Sequence, residues 1–70
     1  MVYTDGTHLV ADTLEELHEF AAKIGLRPEW FQDHPRHPHY DTISEGKRRK
    51  ALKSGAYLLV QRILYYILRN

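Results

Sequence analysis

The sequence predicts a small α/β or α+β domain, with elements in the order β-β-α-(β)-α-β-α and a sheet covered by helices. Three observations carry that expectation. Two β-prone runs meet around Asp5-Gly6, an apolar stripe of helical period runs from Leu14 to Ile24, and a basic segment bounded by Ser44 and Gly55 leads into a short apolar run at 56–60. Seventy residues make one domain, 1–70, with a core over 2–60 and a C-terminal helix at about 60–69. A chain this short buries only about 60% of its unfolded surface, so its core is marginal without good packing or a partner subunit.

Val2-Tyr3-Thr4 and Thr7-His8-Leu9-Val10-Ala11 flank Asp5-Gly6. An Asp-Gly pair between two such runs signals a type I′ hairpin turn, which needs φ > 0 at both central positions. A longer connection would satisfy the same residues. In the second strand Thr7, Leu9 and Ala11 face one way and His8 and Val10 the other. A helix follows over about 13–24. Asp12 or Thr13 can cap it, Glu15 or Glu16 stands three residues on to complete a capping box, and both glutamates suit the positive end of the helix dipole. Leu14, Leu17, Phe20, Ala21 and Ile24 form its apolar stripe, with His18 at the rim. Gly25 sits where a left-handed C-terminal residue belongs, and Leu26 can fold back onto the last turn.

Pro28 suits the first turn of a short helix, while Trp30-Phe31-Gln32 reads as a brief strand; Trp30 and Phe31 serve the core or wall a site. A second helix over about 45–54 has Ser44 as N-cap, without a capping box because Lys47 holds the third position. Ala51 and Leu52 are its packing residues, and Gly55 ends it. The run at 56–60 reads as a buried strand or as the beginning of the terminal helix. That helix has Ile63, Leu64, Ile67 and Leu68 on one stripe, with Tyr65 and Tyr66 widening the apolar surface enough to dock onto a second subunit.

Composition removes several functions. There is no cysteine, which excludes disulfides and thiolate metal sites. The N-terminal segment lacks the features of a signal peptide, and no apolar run approaches the roughly 20 residues of a membrane span. The reading is a soluble, cytoplasmic protein with no membrane partner. Residues 1–41 hold eight acidic and three basic side chains (−5), and residues 42–70 one acidic and seven basic (+6), which gives the net +1. Such a division makes an anion-binding face or two mutually attracting halves, while a net balance near zero argues against nucleic-acid binding by bulk charge.

The candidate site is the stretch 30–41, which gathers His34, His37 and His39 with Trp30, Arg36, Tyr40 and Asp41 around two prolines. His34 and His37 each precede a proline, which pushes both toward extended geometry. A polyproline II arm would align His34, His37 and Tyr40, whereas a strand after Pro38 would align His37, His39 and Asp41. The start of the second helix offers N–H groups to an anion, with Lys47 and Arg48 one turn in.

Several of these segments together resemble a known family. They are 8–21, from His8-Leu9-Val10-Ala11-Asp12-Thr13 to Phe20-Ala21; Ile24-Gly25-Leu26; Trp30-Phe31-Gln32; His39-Tyr40-Asp41; and Lys47-Arg48, Ala51 and Gly55-Ala56. In order and spacing they resemble a family of compact bacterial and bacteriophage domains with no established activity, over residues 3–56. Asp5-Gly6 shortens the family's first connection, and the Tyr-rich tail after Leu59 departs from its pattern. The resemblance implies an α/β or α+β domain, often in a phage setting and hence in a host cytoplasm.

The leading functional expectation is a binding protein for a small phosphorylated ligand, most plausibly a nucleotide. Tyr40 and Trp30 would stack a base; His34, Arg36, His37 and His39 would donate to phosphate or ribose; Lys47 and Arg48 would neutralise charge; Asp12 and Asp41 would accept from sugar or base. In a phage setting such a protein could sequester a host-defence signalling nucleotide. No cofactor is needed for that reading and no catalytic residue is assigned. The first alternative is a zinc or other divalent-metal site formed by His34, His37, His39 and Asp41, with hydrolase activity. In a second, His39 beside Asp41 acts as general base. In a third the basic helix binds nucleic acid or protein. The plainest reading makes the histidine loop a rigid surface connection.

Overall fold

The computed structural model describes residues 1–59; the expected terminal helix and its docking onto a second subunit lie outside the described residues. The chain runs through β1 (Val2–Thr4), β2 (His8–Ala11), α1 (Leu14–Lys23), a single 3₁₀ turn (Pro28–Trp30), β3 (Phe31–Gln32), β4 (His39–Asp41), α2 (Glu45–Lys53) and β5 (Tyr57–Leu58). The five strands lie in the order β3-β4-β2-β1-β5. Every neighbouring pair is antiparallel except β1 and β5. Antiparallel pairing dominates, so the class resolves to α+β. Among the described residues no helix is long and apolar enough to cross a membrane.

Local chemistry sets the helix ends. Thr13 is extended and its hydroxyl accepts the Glu16 N–H, so Thr13 rather than Asp12 caps α1. At the other end Leu26 N–H reaches Ala21 O and Gly25 N–H reaches Ala22 O, with Gly25 at φ 85°. That is a Schellman motif, and Leu26 folds back into the core as the sequence predicts. The second helix repeats the design. Ser44 caps its start by accepting the Lys47 N–H, and Ala56 N–H to Ala51 O with Gly55 N–H to Leu52 O closes its end.

Cross-strand partners share a sheet face, so the register decides what is buried. Val2 pairs with Ala11, Thr4 with Leu9, Leu9 with Tyr40, and Phe31 with Tyr40. This face packs on Leu17, Ala21 and Ile24 of α1, with Leu26, Ala51 and Ala56 completing the core. Leu9, Leu17 and Ile24 are essentially inaccessible, and each such side chain contributes about 1.5–3 kcal/mol by burial. On the opposite face of the same register lie His8, paired with Asp41, and His39, one residue either side of Tyr40.

Several expectations are corrected. The order gains a strand, β4, because the chain after Pro38 takes the strand geometry and not the polyproline one. The aromatic run divides: Trp30 ends the 3₁₀ turn and only Phe31 and Gln32 form a strand. The turn at Asp5-Gly6 is not type I′, since Gly6 (φ 99°) is the sole residue there with positive φ. Asp5 instead accepts the N–H groups of Thr7 and His8 at 2.8 Å each, and Gly6 donates to Thr4 Oγ1. Leu14 is exposed at the first turn of α1, ahead of the part that meets the sheet. The β5 strand forms, but Tyr57 and Leu58 are exposed because it lies at the end of the sheet order.

Candidate functional site

Strand β4 builds the site by alternation. Tyr40 points into the core, so His39 and Asp41 share the other face. Pairing with β2 then sets His8 opposite Asp41. One ligand atom from each of His8, His39 and Asp41 lies within 4.8 Å of the other two. The two imidazoles meet edge to face at 5.4 Å between centroids, and His39 Nε2 stands 3.8 Å from Asp41 Oδ1.

What surrounds the rings fixes their protons. The Nδ1 of His8 lies 3.0 Å from Asp5 Oδ2, and the Nδ1 of His39 lies 2.7 Å from the carbonyl oxygen of His37. A carboxylate and a carbonyl accept only, so each Nδ1 carries the hydrogen and each Nε2 keeps a lone pair when neutral. Asp5 is suited to the task because its side chain is 6% exposed. Burial alone would raise its carboxyl pKa; the hydrogen bonds from the His8 ring and from the His8 and Thr7 amides outweigh that and hold it below the usual 3.8.

Beside the cluster a groove of about 640 Å³ runs from the β1–β2 turn to the first turn of α2, and Asp41 belongs to both cluster and groove. Besides Asp41 it is lined by Gly6 and Thr7, by Thr42 and Ile43, and by Ser44, Glu45 and Arg48. The Arg48 side chain lies over Gly6, its Nε 3.3 Å from where a β-carbon would stand there. It also pairs with Glu45 at 3.6 Å. Ile43 is held at φ 54°, a backbone region that costs a β-branched residue about 1–3 kcal/mol. Buried Thr42 anchors the bend, donating its N–H to Thr7 O at 2.8 Å and its hydroxyl to Gly6 O at 2.9 Å.

The other residues expected at a site are dispersed. His34 and His37 stack on each other at 5.0 Å with 18° between planes, without the Tyr40 that a polyproline II arm would align with them, and lie outside the three-residue cluster. The set His34, His37, His39 and Asp41 is therefore split into two pairs. Arg36 is exposed, and its N–H donates to His34 Nδ1. Tyr40 is 2% exposed and bonds His18 Nδ1 through its hydroxyl at 2.7 Å, so its ring presents no face to a ligand. Trp30 packs at the core edge under the Arg27 guanidinium. Asp12 binds the Met1 amino group at 3.0 Å. Lys47 turns away from the groove to donate to Ile24 O at 3.1 Å, capping the carbonyl end of α1. Of the expected set, His39, Asp41 and Arg48 come together here.

Two site residues carried only a faint signal in the sequence. His8 read only as a residue on one face of the second strand, and Asp5 as a turn former. The spacing of Asp5 from His8 by three residues was the available clue, since an Asp at a turn reaches the backbone two or three residues on.

No curated protein and no solved structure is significantly similar to the chain. Residues 4–70 match the family described as "Protein of unknown function (DUF4031)". With nearly its whole length matched, the chain belongs to that family.

Proposed function

We propose that this domain binds a divalent transition-metal ion through Nε2 of His8, Nε2 of His39 and a carboxylate oxygen of Asp41. One observation carries the reading: both rings are held by Nδ1, one by a buried carboxylate and one by a backbone carbonyl. That arrangement orients metal-ligating histidines and raises their basicity. Ligands around a tetrahedral ion stand roughly 3–3.5 Å apart, so the cluster needs only small side-chain adjustments to close on one. Two imidazoles and one carboxylate suit zinc first, and iron(II) as a facial triad, with positions left open in either case. An open position on zinc would carry water acidified to a pKa of about 7, the basis for a hydrolase-type centre.

The phosphorylated-ligand reading takes a different form here. Stacking by Tyr40 and neutralisation by Lys47 have no support in their positions, so anion recognition falls to the ion and to Arg48. Isothermal titration of tag-free, chelator-treated protein with zinc or manganese tests the centre. One ion per chain is expected, with affinity about 10–100-fold lower in His8→Ala and His39→Ala. A chain that takes up no ion refutes the reading. Loss in His34→Ala and His37→Ala, with His8→Ala unaffected, would relocate the site to the stacked pair.

A further inference from the structure

We infer that the groove beside the cluster seats the phosphate group of a small phosphomonoester, bridged between the metal ion and the Arg48 guanidinium, with Arg48 setting specificity. The inference rests on the metal reading above and adds the ligand class and its second anchor. Geometry supplies the first part. Asp41 belongs to both cluster and groove, and Arg48 lines the same groove. Its side chain lies close over the β1–β2 turn, where a β-carbon on Gly6 would stand 3.3 Å from Nε. The groove's size, about 640 Å³, falls within the roughly 300–1,000 Å³ of small-molecule sites. Exposed Ile43 in its lining offers an apolar surface to the organic part of the ligand.

Charge supplies the second part. Asp41 and Glu45 line the groove with Arg48 as its cation, so two negative charges against one positive leave −1. An anion is repelled by that set. A divalent ion held by the cluster brings the balance to +1 and presents two positive centres, the ion and the guanidinium, beside Asp41. A carboxylate has two oxygens, enough to meet the guanidinium fork or the ion in full but not both. A phosphate uses both, because it has oxygens to spare for the ion while two others meet the planar guanidinium fork. The Glu45 carboxylate, 3.6 Å from Arg48, holds the guanidinium at the groove and yields it to the ligand. The bend at Ile43 turns the chain from β4 into α2 within Thr42–Ser44, which is what brings Arg48 back over the β1–β2 turn.

The test is titration of the full chain with inorganic phosphate, adenosine monophosphate and acetate, each with and without a prior equivalent of zinc, with zinc uptake measured separately. Phosphate and the nucleotide should bind the zinc-loaded chain and show no binding to the chelated one, and acetate should bind at least about 10-fold more weakly. Arg48→Ala should lower phosphate affinity about 10–100-fold, the loss expected for a charged hydrogen-bonding partner, with zinc stoichiometry unchanged. Arg48→Lys should recover part of it, and Lys50→Ala on the outer helix surface should change nothing. Phosphate binding of equal strength without zinc, equal strength in Arg48→Ala, or equal loss in Lys50→Ala overturns the inference. Zinc uptake that persists through those outcomes leaves the metal centre standing, whereas absent zinc uptake removes both.

Discussion

The Asp5→Asn substitution separates the hydrogen bond to His8 from the turn that supplies it. Asp5 makes three contacts: Oδ1 accepts the amides of Thr7 and His8 at 2.8 Å each, and Oδ2 meets His8 Nδ1 at 3.0 Å. An amide keeps an oxygen for the two backbone N–H groups, so the turn survives. Its NH₂ then faces a ring nitrogen that now must accept. The His8 proton moves to Nε2, and the nitrogen offered to the ion no longer has a lone pair. Losing such a partner weakens metal binding about 10–100-fold, or roughly 1.4–2.8 kcal/mol at 1.4 kcal/mol per tenfold. Titration with zinc at neutral pH, beside Asp5→Ala, which removes the turn acceptor as well, measures it. The pH dependence follows the same residue. Its carboxyl is held below 3.8 in the fold, so its stabilisation is fully present above the unfolded value and is lost as pH falls through the lower folded one. Asp5→Asn should flatten that acid limb of a thermal-melt series. Zinc affinity equal to wild type in Asp5→Asn would refute the argument that the carboxylate sets the His8 tautomer.

Two further outcomes test residues around the site. Lys47→Met removes the ammonium from Ile24 O and should destabilise the fold by about 1 kcal/mol in denaturant unfolding, with zinc and phosphate titrations unchanged; a loss of phosphate binding would return Lys47 to the ligand site. Ile43→Gly relieves the left-handed backbone at an exposed position and should change stability by about +0.5 to +1 kcal/mol, the strain released less the entropy a glycine adds to the unfolded chain. A destabilised Ile43→Gly variant would show that the isoleucine side chain contributes packing that outweighs its backbone strain.

What was legible in the sequence is what short-range chemistry decides. Thr13 and Gly25 bracket α1, and Ser44 and Gly55 bracket α2, because a cap reads residues within one turn. The β1–β2 hairpin was legible for the same reason, although the detail of its turn was not, since Asp5 spends its side chain on the backbone in place of adopting positive φ. Long-range register was illegible. β4 is three residues long and pairs with β2 across α1 and the whole histidine loop, so nothing local announces that His39 and Asp41 will meet His8. Lys47 illustrates the converse: its spacing suits a phosphate seat, and only the position of α1 gives its ammonium a nearer acceptor.

The histidine loop itself then acquires a different physical role. A sequence with three histidines in six residues invites all three as ligands, yet only His39 has its ring in the cluster. His37 acts through its main chain, whose carbonyl takes the His39 Nδ1 proton, while its side chain is spent on stacking with His34. The prolines explain why this arrangement holds. Each confines the residue before it to extended backbone, so the stretch from His34 to Pro38 loses little entropy on ordering and keeps the His37 carbonyl in register with the strand that follows. If the loop serves this way, its ring chemistry is dispensable and its backbone is not. His34→Ala should leave zinc affinity within about twofold, as expected for a site without metal contact, whereas Pro38→Gly, which frees residue 37, should lower it by about tenfold, the small end of the loss of an orienting partner. Equal effects of the two substitutions would mean that the stacked rings, and not the carbonyl, position His39.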